Sequence, residues 1–158
     1  MWGEQNRLLP KSENNPKGAD LLNVKVSQLD YLFKDSVISW KLYAVDDGCP
    51  YKSGEIAENI RQQSAFAEQI QVLHLADELP SDAHPLKDLK SADDSKKGGS
   101  ILLGCKQALE DGVYAIIYTD ADNSVHLAPI GLLLKPYLEN ENRVVLGNRK
   151  GPNAVLVK

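Results

Sequence analysis

The sequence has few of the features that mark membrane proteins, metal-cluster proteins or disulfide-rich proteins. No apolar stretch approaches the roughly 20 residues that a membrane-spanning helix needs, and no signal-peptide pattern is recognisable. The chain has only two cysteines, Cys49 and Cys105, and neither belongs to a CxxC pair. We therefore expect reduced thiols in a cytoplasmic protein rather than a disulfide framework.

The chain also lacks a basic patch. It has 18 lysine and arginine residues against 22 aspartate and glutamate residues, which gives a net charge of −4. The basic residues are scattered, apart from the pair at Lys96 and Lys97, so a nucleic-acid partner is not expected. A length of 158 residues is typical of one domain with a substantial core.

Apolar residues follow two alternating periods along the chain, one typical of helices and one typical of strands. Helices are predicted at residues 22–33, 54–66, 98–112 and 129–138. Strands are predicted at residues 39–45, 69–75, 113–119 and 143–147. This alternation predicts one α/β domain over residues 1–158 with a mostly parallel sheet. Residues 1–20 are expected to be irregular, and residues 77–97 to form a long polar loop.

Several elements carry finer predictions. Ser53 is expected to cap the second helix, and Gly112 to end the third. The third helix is expected to bury one apolar face, made of Ile101, Leu102, Cys105, Ala108 and Leu109. The run "VYAIIYT" at 113–119 is continuously apolar, as expected of a strand covered on both faces. Pro136 is expected to kink or end the last helix.

Two of the predicted strands end in pairs of aspartates. "YAV" leads into Asp46 and Asp47, and "IIYT" leads into Asp120 and Asp122. Because parallel strands end at one edge of a sheet, all four carboxylates are expected to lie there. Like charges so close together need a cation or hydrogen-bond donors to offset their repulsion. The alternative is that each pair only caps the turn that follows it, since aspartate is common in turns.

A glycine-containing segment, "KKGGS", opens the third predicted helix. The free backbone N–H groups and the positive dipole end of a helix favour an anion. Gly98 and Gly99 would allow a phosphate to approach closely, and Lys97 adds a positive charge. Next to a carboxylate cluster, such an anion site suits a diphosphate bound to Mg²⁺ or Mn²⁺, since these ions prefer oxygen ligands.

The order of these motifs resembles the nucleotide-binding half of GT-A glycosyltransferases, most closely those of family 2. The motifs are VDDG at 45–48, KGGS at 97–100 and DAD at 120–122, with "VVLGNRK" and its Arg149 as a further match. The resemblance covers roughly residues 21–150. It implies a three-layer α/β/α, Rossmann-like fold with a mostly parallel sheet. It also implies an enzyme that uses Mn²⁺ or Mg²⁺ to bind a UDP- or GDP-sugar and transfers the sugar to an unidentified acceptor.

The resemblance implies a role for each matching residue. The residues it assigns to the nucleotide sugar are Asp46, Asp47, Lys97, Gly98 and Asp120, and those it assigns to the metal are Asp120 and Asp122. Asp47 would accept a hydrogen bond from the nucleobase, and Asp46 would support the same pocket. Asp120 would lie at the ribose or in the metal shell, and Asp122 would bind the metal ion. No residue matches a catalytic base.

Two departures from the family pattern are expected to matter. The family's first apolar strand does not precede "MWGE", and "NAVLVK" is one candidate to replace it. The sequence also stops at Lys158, before the half that holds the acceptor and, in inverting enzymes, the catalytic base. The expected fold is therefore an incomplete GT-A domain, and the chain resembles the donor-binding half of a longer glycosyltransferase.

Three other interpretations stay open from the residues alone. "AIIYTDADNS" approaches the motif of haloacid dehalogenase-type phosphatases, with Asp120 as nucleophile and Asp122 as acid and base, but only 36 residues follow Asp122. A receiver-like phosphoacceptor domain would combine Asp46 and Asp47 with Asp120, over a separation that is too long for that fold. The third interpretation is a nucleotide-binding domain that does not catalyse transfer.

Overall fold

A computed structural model of the chain describes residues 1–95, 97–140, 144–148 and 151. The helices and strands are, in chain order, α1 (Gln5–Leu8), α2 (Leu21–Phe33), β1 (Leu42–Asp46), α3 (Ser53–Gln63), β2 (Ile70–His74), α4 (Lys97–Glu110) and α5 (Ile130–Glu139). Short 3₁₀ turns lie at Ala67–Gln69, Leu75–Glu78 and Ala92–Asp94. The chain divides into two compact units, Met1–Val125 and His126–Lys158.

The sheet of the first unit confirms an α/β fold with parallel strands. β1 and β2 pair from Leu42 opposite Ile70 to Asp46 opposite His74. Parallel neighbours need a crossover connection, and α3 lies within the connection between these two strands. Both strands therefore end at one edge of the sheet, where Asp46 and His74 are adjacent.

The two faces of the sheet contribute to different cores, because successive side chains of a strand point to opposite sides. Ala44 and Ile70 belong to the larger core, together with residues of α1, α2 and α3. The buried members of this core are Leu8, Leu21, Leu22, Val26, Ala44, Ala57 and Ile70. The smaller core consists of Leu75, Leu86 and Leu103. Val45 and Leu73 pack against the smaller core, so helices contact both faces of the sheet.

Five predicted elements are present in this unit with shifted boundaries, namely α2, β1, α3, β2 and α4. The predicted end of α4 is confirmed in detail. Gly112 has a φ of +71°, and its N–H donates to the carbonyl oxygen of Leu109 at 3.1 Å. The N–H of Val113 donates to the carbonyl oxygen of Ala108 at 3.2 Å. These two bonds form a Schellman motif, which favours glycine at the left-handed position.

Two predictions, the Ser53 cap of α3 and the irregular segment 1–20, are wrong. Ser53 does not cap α3: it is the first helical residue, and Lys52 before it has a left-handed φ of +61°. The Ser53 hydroxyl instead lies 3.2 Å from the Cys49 sulfur. Residues 1–20 are not irregular throughout, because they contain α1, which buries Leu8 in the larger core.

The predicted buried face of α4 is confirmed at Ala108, is only half-buried at Ile101 and Cys105, and is wrong at Leu102 and Leu109. The buried residues of α4 are Gly99, Ser100, Leu103 and Ala108. Leu102 and Leu109 are exposed. The helix approaches the sheet closely through small residues, since a Cβ on Gly104 would lie 3.3 Å from Val45 Cγ2. Apolar spacing therefore predicted the wrong face, because glycine and serine fill much of the contact.

The prediction of a buried strand at 113–119 is also wrong. This run is irregular and pairs with neither β1 nor β2. Its large side chains are exposed at Tyr114, Ile116, Ile117 and Tyr118. A strand covered on both faces needs neighbours for its backbone groups, and β1 pairs only with β2 in the described part of the chain.

The second unit contains α5, which confirms the last predicted helix. α5 runs on through Pro136 to Glu139, so the proline does not end it. The predicted strand at 143–147 is wrong for its described residues 144–147, which form no strand. Arg149 and the segment "NAVLVK" lie outside the described residues.

The cysteines are unpaired, and no helix in the described part of the chain can cross a membrane. Cys49 and Cys105 are both free cysteines, which confirms the expectation of unpaired thiols. Among the residues that the structure describes, no helix combines the length and the apolar character needed to cross a membrane.

Candidate functional site

The carboxyl end of β1 carries two buried aspartates. Asp46, the last residue of the strand, is 7% exposed, and Asp47 is 9% exposed. Asp46 Oδ2 accepts a hydrogen bond from the Cys49 N–H at 3.3 Å. The Oδ1 atoms of both aspartates are buried without a hydrogen bond among the described residues. The amino group of Met1 lies 3.5 Å from Asp47 Oδ1, which is an ion-pair distance but not a hydrogen bond.

β2 and α3 contact Asp46 from two directions. His74 is opposite Asp46 in the sheet, and its Nδ1 lies 3.8 Å from Asp46 Oδ2, too far for a hydrogen bond. The first turn of α3 is close to both residues: a Cβ on Gly54 would lie 2.7 Å from His74 Nδ1 and 2.9 Å from Asp46 Cβ. A glycine at this position therefore allows α3 to pack against the strand ends.

Burial raises the pKa of the Asp46 carboxyl, and the N-terminal amino group, the Cys49 N–H and His74 only partly oppose this effect. The folded protein therefore holds the Asp46 proton more tightly than the unfolded chain does. Well below the ordinary aspartate pKa, Asp46 is protonated in both the folded and the unfolded chain, so it does not change the free energy of unfolding with pH. As pH rises from there through the folded pKa, the free energy of unfolding decreases.

Asp46→Asn is therefore expected to stabilise the protein at pH 7 by about 1 kcal/mol, or about 2–4 °C in melting temperature. The amide still offers an oxygen to the Cys49 N–H and removes a buried charge. The gain should decrease as pH falls, because the raised pKa of Asp46 means that wild-type Asp46 takes up its proton at a higher pH in the folded protein than in the unfolded chain. Thermal melts between pH 4 and pH 8 measure the difference. A variant that is less stable than the wild type at pH 7 would contradict this account.

Residues 1–7 connect the two aspartate stretches. Near the start of this segment, the N–H of Gly3 donates to the sulfur of Cys49 at 3.2 Å. At its end, Arg7 Nη2 donates to the carbonyl oxygen of Asp122 at 2.8 Å. The segment thus contacts the loop after β1 on one side and the second aspartate pair on the other.

The second aspartate pair lies in an irregular segment rather than at the end of a strand. Asp120 Oδ1 accepts a hydrogen bond from the Tyr118 hydroxyl at 2.7 Å and forms an ion pair with Lys97 of α4. Asp122 Oδ1 accepts the N–H of Ser124 at 2.9 Å. Hydrogen bonds from the Ser124 N–H and hydroxyl lower the pKa of Asp122, so this carboxylate is ionised at neutral pH.

A buried lysine that the sequence analysis does not single out contacts this segment. Lys25 of α2 is 5% exposed, and its Nζ donates to the carbonyl oxygen of Asp120 at 3.1 Å. Burial lowers the pKa of Lys25, while the charges of Asp122 and Asp120 oppose that effect. The sequence did carry a signal: Lys25 falls on the helical stripe of Leu22 and Val26, where a charged residue needs a buried partner.

The KGGS segment forms the first turn of α4, as predicted. The expectation of free N–H groups there is wrong for both glycines: the Gly98 N–H donates to the carbonyl oxygen of Ser95 at 3.1 Å, and the Gly99 N–H donates to the Ser95 hydroxyl. Gly98 is open, because a Cβ there would meet only Ser95 Oγ at 3.7 Å. Gly99 is closed, because a Cβ there would lie 2.9 Å from Leu75 Cδ2 and 3.0 Å from Leu89 Cδ1. Of the two glycines predicted to receive a phosphate, only Gly98 has the space.

The expectation that both aspartate pairs end parallel strands is correct for the first pair and wrong for the second. Within the described ranges, no group of three or more His, Cys, Asp or Glu side chains is placed to hold a metal ion. Magnesium needs only one or two protein carboxylates when phosphate oxygens supply other ligands. In the folded chain Asp120 Oδ1 is engaged by Lys97 and by the Tyr118 hydroxyl, and Asp122 Oδ1 is engaged by the Ser124 N–H.

Comparison with known proteins identified no relative: no family model, curated protein or solved structure matches the chain. The functional assignment therefore depends on the geometry of the two aspartate pairs and the start of α4.

Proposed function

We propose that the chain is a GT-A-like domain of a glycosyltransferase that binds a nucleoside-diphosphate sugar together with Mn²⁺ or Mg²⁺. One observation carries this proposal: the buried Oδ1 atoms of Asp46 and Asp47 have no hydrogen bond among the described residues, and they lie at the carboxyl end of a parallel strand. Asp47 Oδ1 has only the amino group of Met1 at 3.5 Å, and Asp46 Oδ1 has no donor among the described residues. Burial of acceptors that lack hydrogen bonds is costly, so these atoms favour a ligand that brings donors. Ligands of open α/β sheets bind at this edge, and nucleobase N–H groups are suitable donors.

The second aspartate pair and the start of α4 supply groups for the diphosphate. Asp122 is ionised at neutral pH, which suits a metal ligand, and Asp120 would lie at the ribose or the metal. The charge of Lys97 and the space at Gly98 suit phosphate oxygens. A bound phosphate would have to exchange with the bonds that the Gly98 and Gly99 N–H groups make to Ser95 and with the Lys97–Asp120 ion pair. A bound divalent ion would act as a Lewis acid that neutralises the diphosphate as it leaves. Transfer of the sugar to an acceptor would then follow, with inversion as in family 2.

UDP or GDP together with Mn²⁺ is expected to raise the melting temperature by about 5 °C or more when the ligand is near 100 times its Kd. Binding then adds about 2.7 kcal/mol of stability. Asp122→Asn should remove the metal-dependent part of this shift, because asparagine keeps an acceptor for Ser124 but loses the charge. Thermal shift measurements with UDP, GDP and dTDP, each with and without Mn²⁺, test the expectation.

The control variant is Asp82→Asn, which changes an exposed aspartate of the 77–97 connection and should leave the shift intact. A shift with metal and phosphate analogues that needs no nucleoside would favour the phosphatase or receiver interpretation. Absence of any nucleotide-dependent shift would contradict the proposed function. Release of sugar from UDP- or GDP-sugars would distinguish a transferase from the alternative, a nucleotide-binding domain or fragment without turnover.

A further inference from the structure

Lys25 is an exception to the apolar pattern of α2. It is as buried as Leu22, Val26 and Leu29 on the same helix. Moving an ammonium group out of water into such a position is strongly unfavourable unless partners replace its hydration. A methionine would fill similar space without this cost. Packing alone therefore does not explain the charge of Lys25.

The partners that the structure shows for Lys25 belong to the segment 120–122. Its Nζ donates to the carbonyl oxygen of Asp120 at 3.1 Å, and the carboxylates of Asp122 and Asp120 both act on its charge. The hydrogen bond goes to the main chain, so it fixes the backbone at Asp120 without occupying the carboxylate. The ammonium group also offsets part of the repulsion between the two aspartates.

Side-chain hydrogen bonds to main-chain oxygens and amides hold this segment in place. Residues 113–124 form no helix or strand, so side-chain bonds replace the regular ladder that fixes other parts of the backbone. Arg7 donates to the Asp122 carbonyl oxygen, and Asn123 donates to a carbonyl oxygen of α2. The Arg7 side chain is 40% exposed, whereas Lys25 is buried. The Lys25 bond is therefore the one better protected from competing water.

We propose that Lys25 is a positioning residue for the segment 120–122: its buried ammonium group holds the backbone so that the two carboxylates keep the arrangement that receives a metal-bound diphosphate. This inference rests on the proposed function. Lys25 acts through the geometry of Asp120 and Asp122 and not by contact with the ligand.

Local order tests the positioning role without any ligand. Lys25→Met keeps the length and fills the apolar site but removes the donor and the charge. The backbone ¹⁵N order parameters of residues 120–124 should fall from the rigid range, near 0.85, to below about 0.6. Those of β1 and β2 should stay unchanged. Unchanged order at 120–124 would overturn the inference. Lys17→Met, at an exposed lysine before α2, is the control and should change neither region.

The affinity for nucleotide tests whether the position of segment 120–122 matters for binding. Isothermal titration with UDP and Mn²⁺ should give a Kd at least about tenfold weaker for Lys25→Met, since bonds from charged groups are the stronger ones. Equal affinity in wild type and variant would overturn the inference. If Lys25→Met does not fold, Lys25→Leu, which also lacks the donor and the charge, supplies the same two measurements with the same expected results. A wild type that binds no nucleotide would refute the proposed function, while the order parameters would still decide the role of Lys25.

Discussion

Replacing Leu86 by alanine is expected to lower the free energy of unfolding by about 2–5 kcal/mol, the loss typical of an interior leucine. Leu86 is fully buried although it lies in the polar connection between β2 and α4, and it packs in the smaller core with Leu75 and Leu103. Both neighbours are also buried, so they cannot easily collapse into the cavity that alanine leaves. Chemical denaturation of the two proteins measures the difference.

Lys87→Ala is the matched control, since this adjacent side chain is exposed and its loss should cost less than about 0.5 kcal/mol. An equally small effect at Leu86 would contradict the structure of the connection. The result also concerns the candidate site, because the same connection packs against the loop after β1. A Cβ on Gly48 would lie 2.9 Å from the Cβ of Ala92.

Much of the larger core could be predicted from the sequence because its signals are local, whereas Leu8 could not, since the four-residue helix α1 is too short to show a period. The stripe of α2 and the short apolar runs of β1 and β2 repeat with the period of their own element, and each faces the core that the period indicates. The end of α4 is local in the same sense, since Gly112 alone supplies the left-handed residue that the Schellman motif uses.

The smaller core could not be predicted in the same way. Leu86 lies in a polar stretch with only a few scattered apolar residues such as Leu79 and Leu89, so no sustained helix or strand period marks it as buried. The buried face of α4 includes Gly99 and Ser100, which add nothing to an apolar count. These small residues allow α4 to lie close to its neighbours. Whether they are buried depends on the residues opposite them in the fold and not on their own hydrophobicity.

The candidate site, too, could be predicted only where the sequence signal is local. Asp46 and Asp47 follow a strand that local pattern identifies, so their place at the sheet edge could be predicted. The setting of Asp120 could not, because a strand at 113–119 requires a neighbour to pair with, and the nature of that neighbour is not encoded in the run itself. The role of Lys25 could not be predicted for a different reason. Its place on the buried face of α2 follows from the helical period, but its partner Asp120 is 95 residues away in the sequence.

Gly99→Ala is expected to lower the free energy of unfolding by about 1–3 kcal/mol, although alanine is the better helix former. The new methyl group would lie within 3.0 Å of the side chains of Leu75 and Leu89, and it would also meet the Ser95 hydroxyl. Leu75 is fully buried, so the smaller core must shift to admit the methyl group. Chemical denaturation measures the loss, and a variant as stable as the wild type would contradict the close packing at Gly99.

Gly98→Ala, at the same helix start, is expected to affect ligand binding but not the stability of the core. Its methyl group has open space, with only Ser95 Oγ at 3.7 Å, so stability should stay equal or rise by up to about 1 kcal/mol. The same methyl group would stand where the proposed function places a phosphate, so the melting-temperature shift with UDP and Mn²⁺ should shrink. Stable protein with a reduced shift at Gly98, and unstable protein at Gly99, would assign one glycine to the ligand and the other to the core. An undiminished shift in Gly98→Ala would remove Gly98 from the phosphate site.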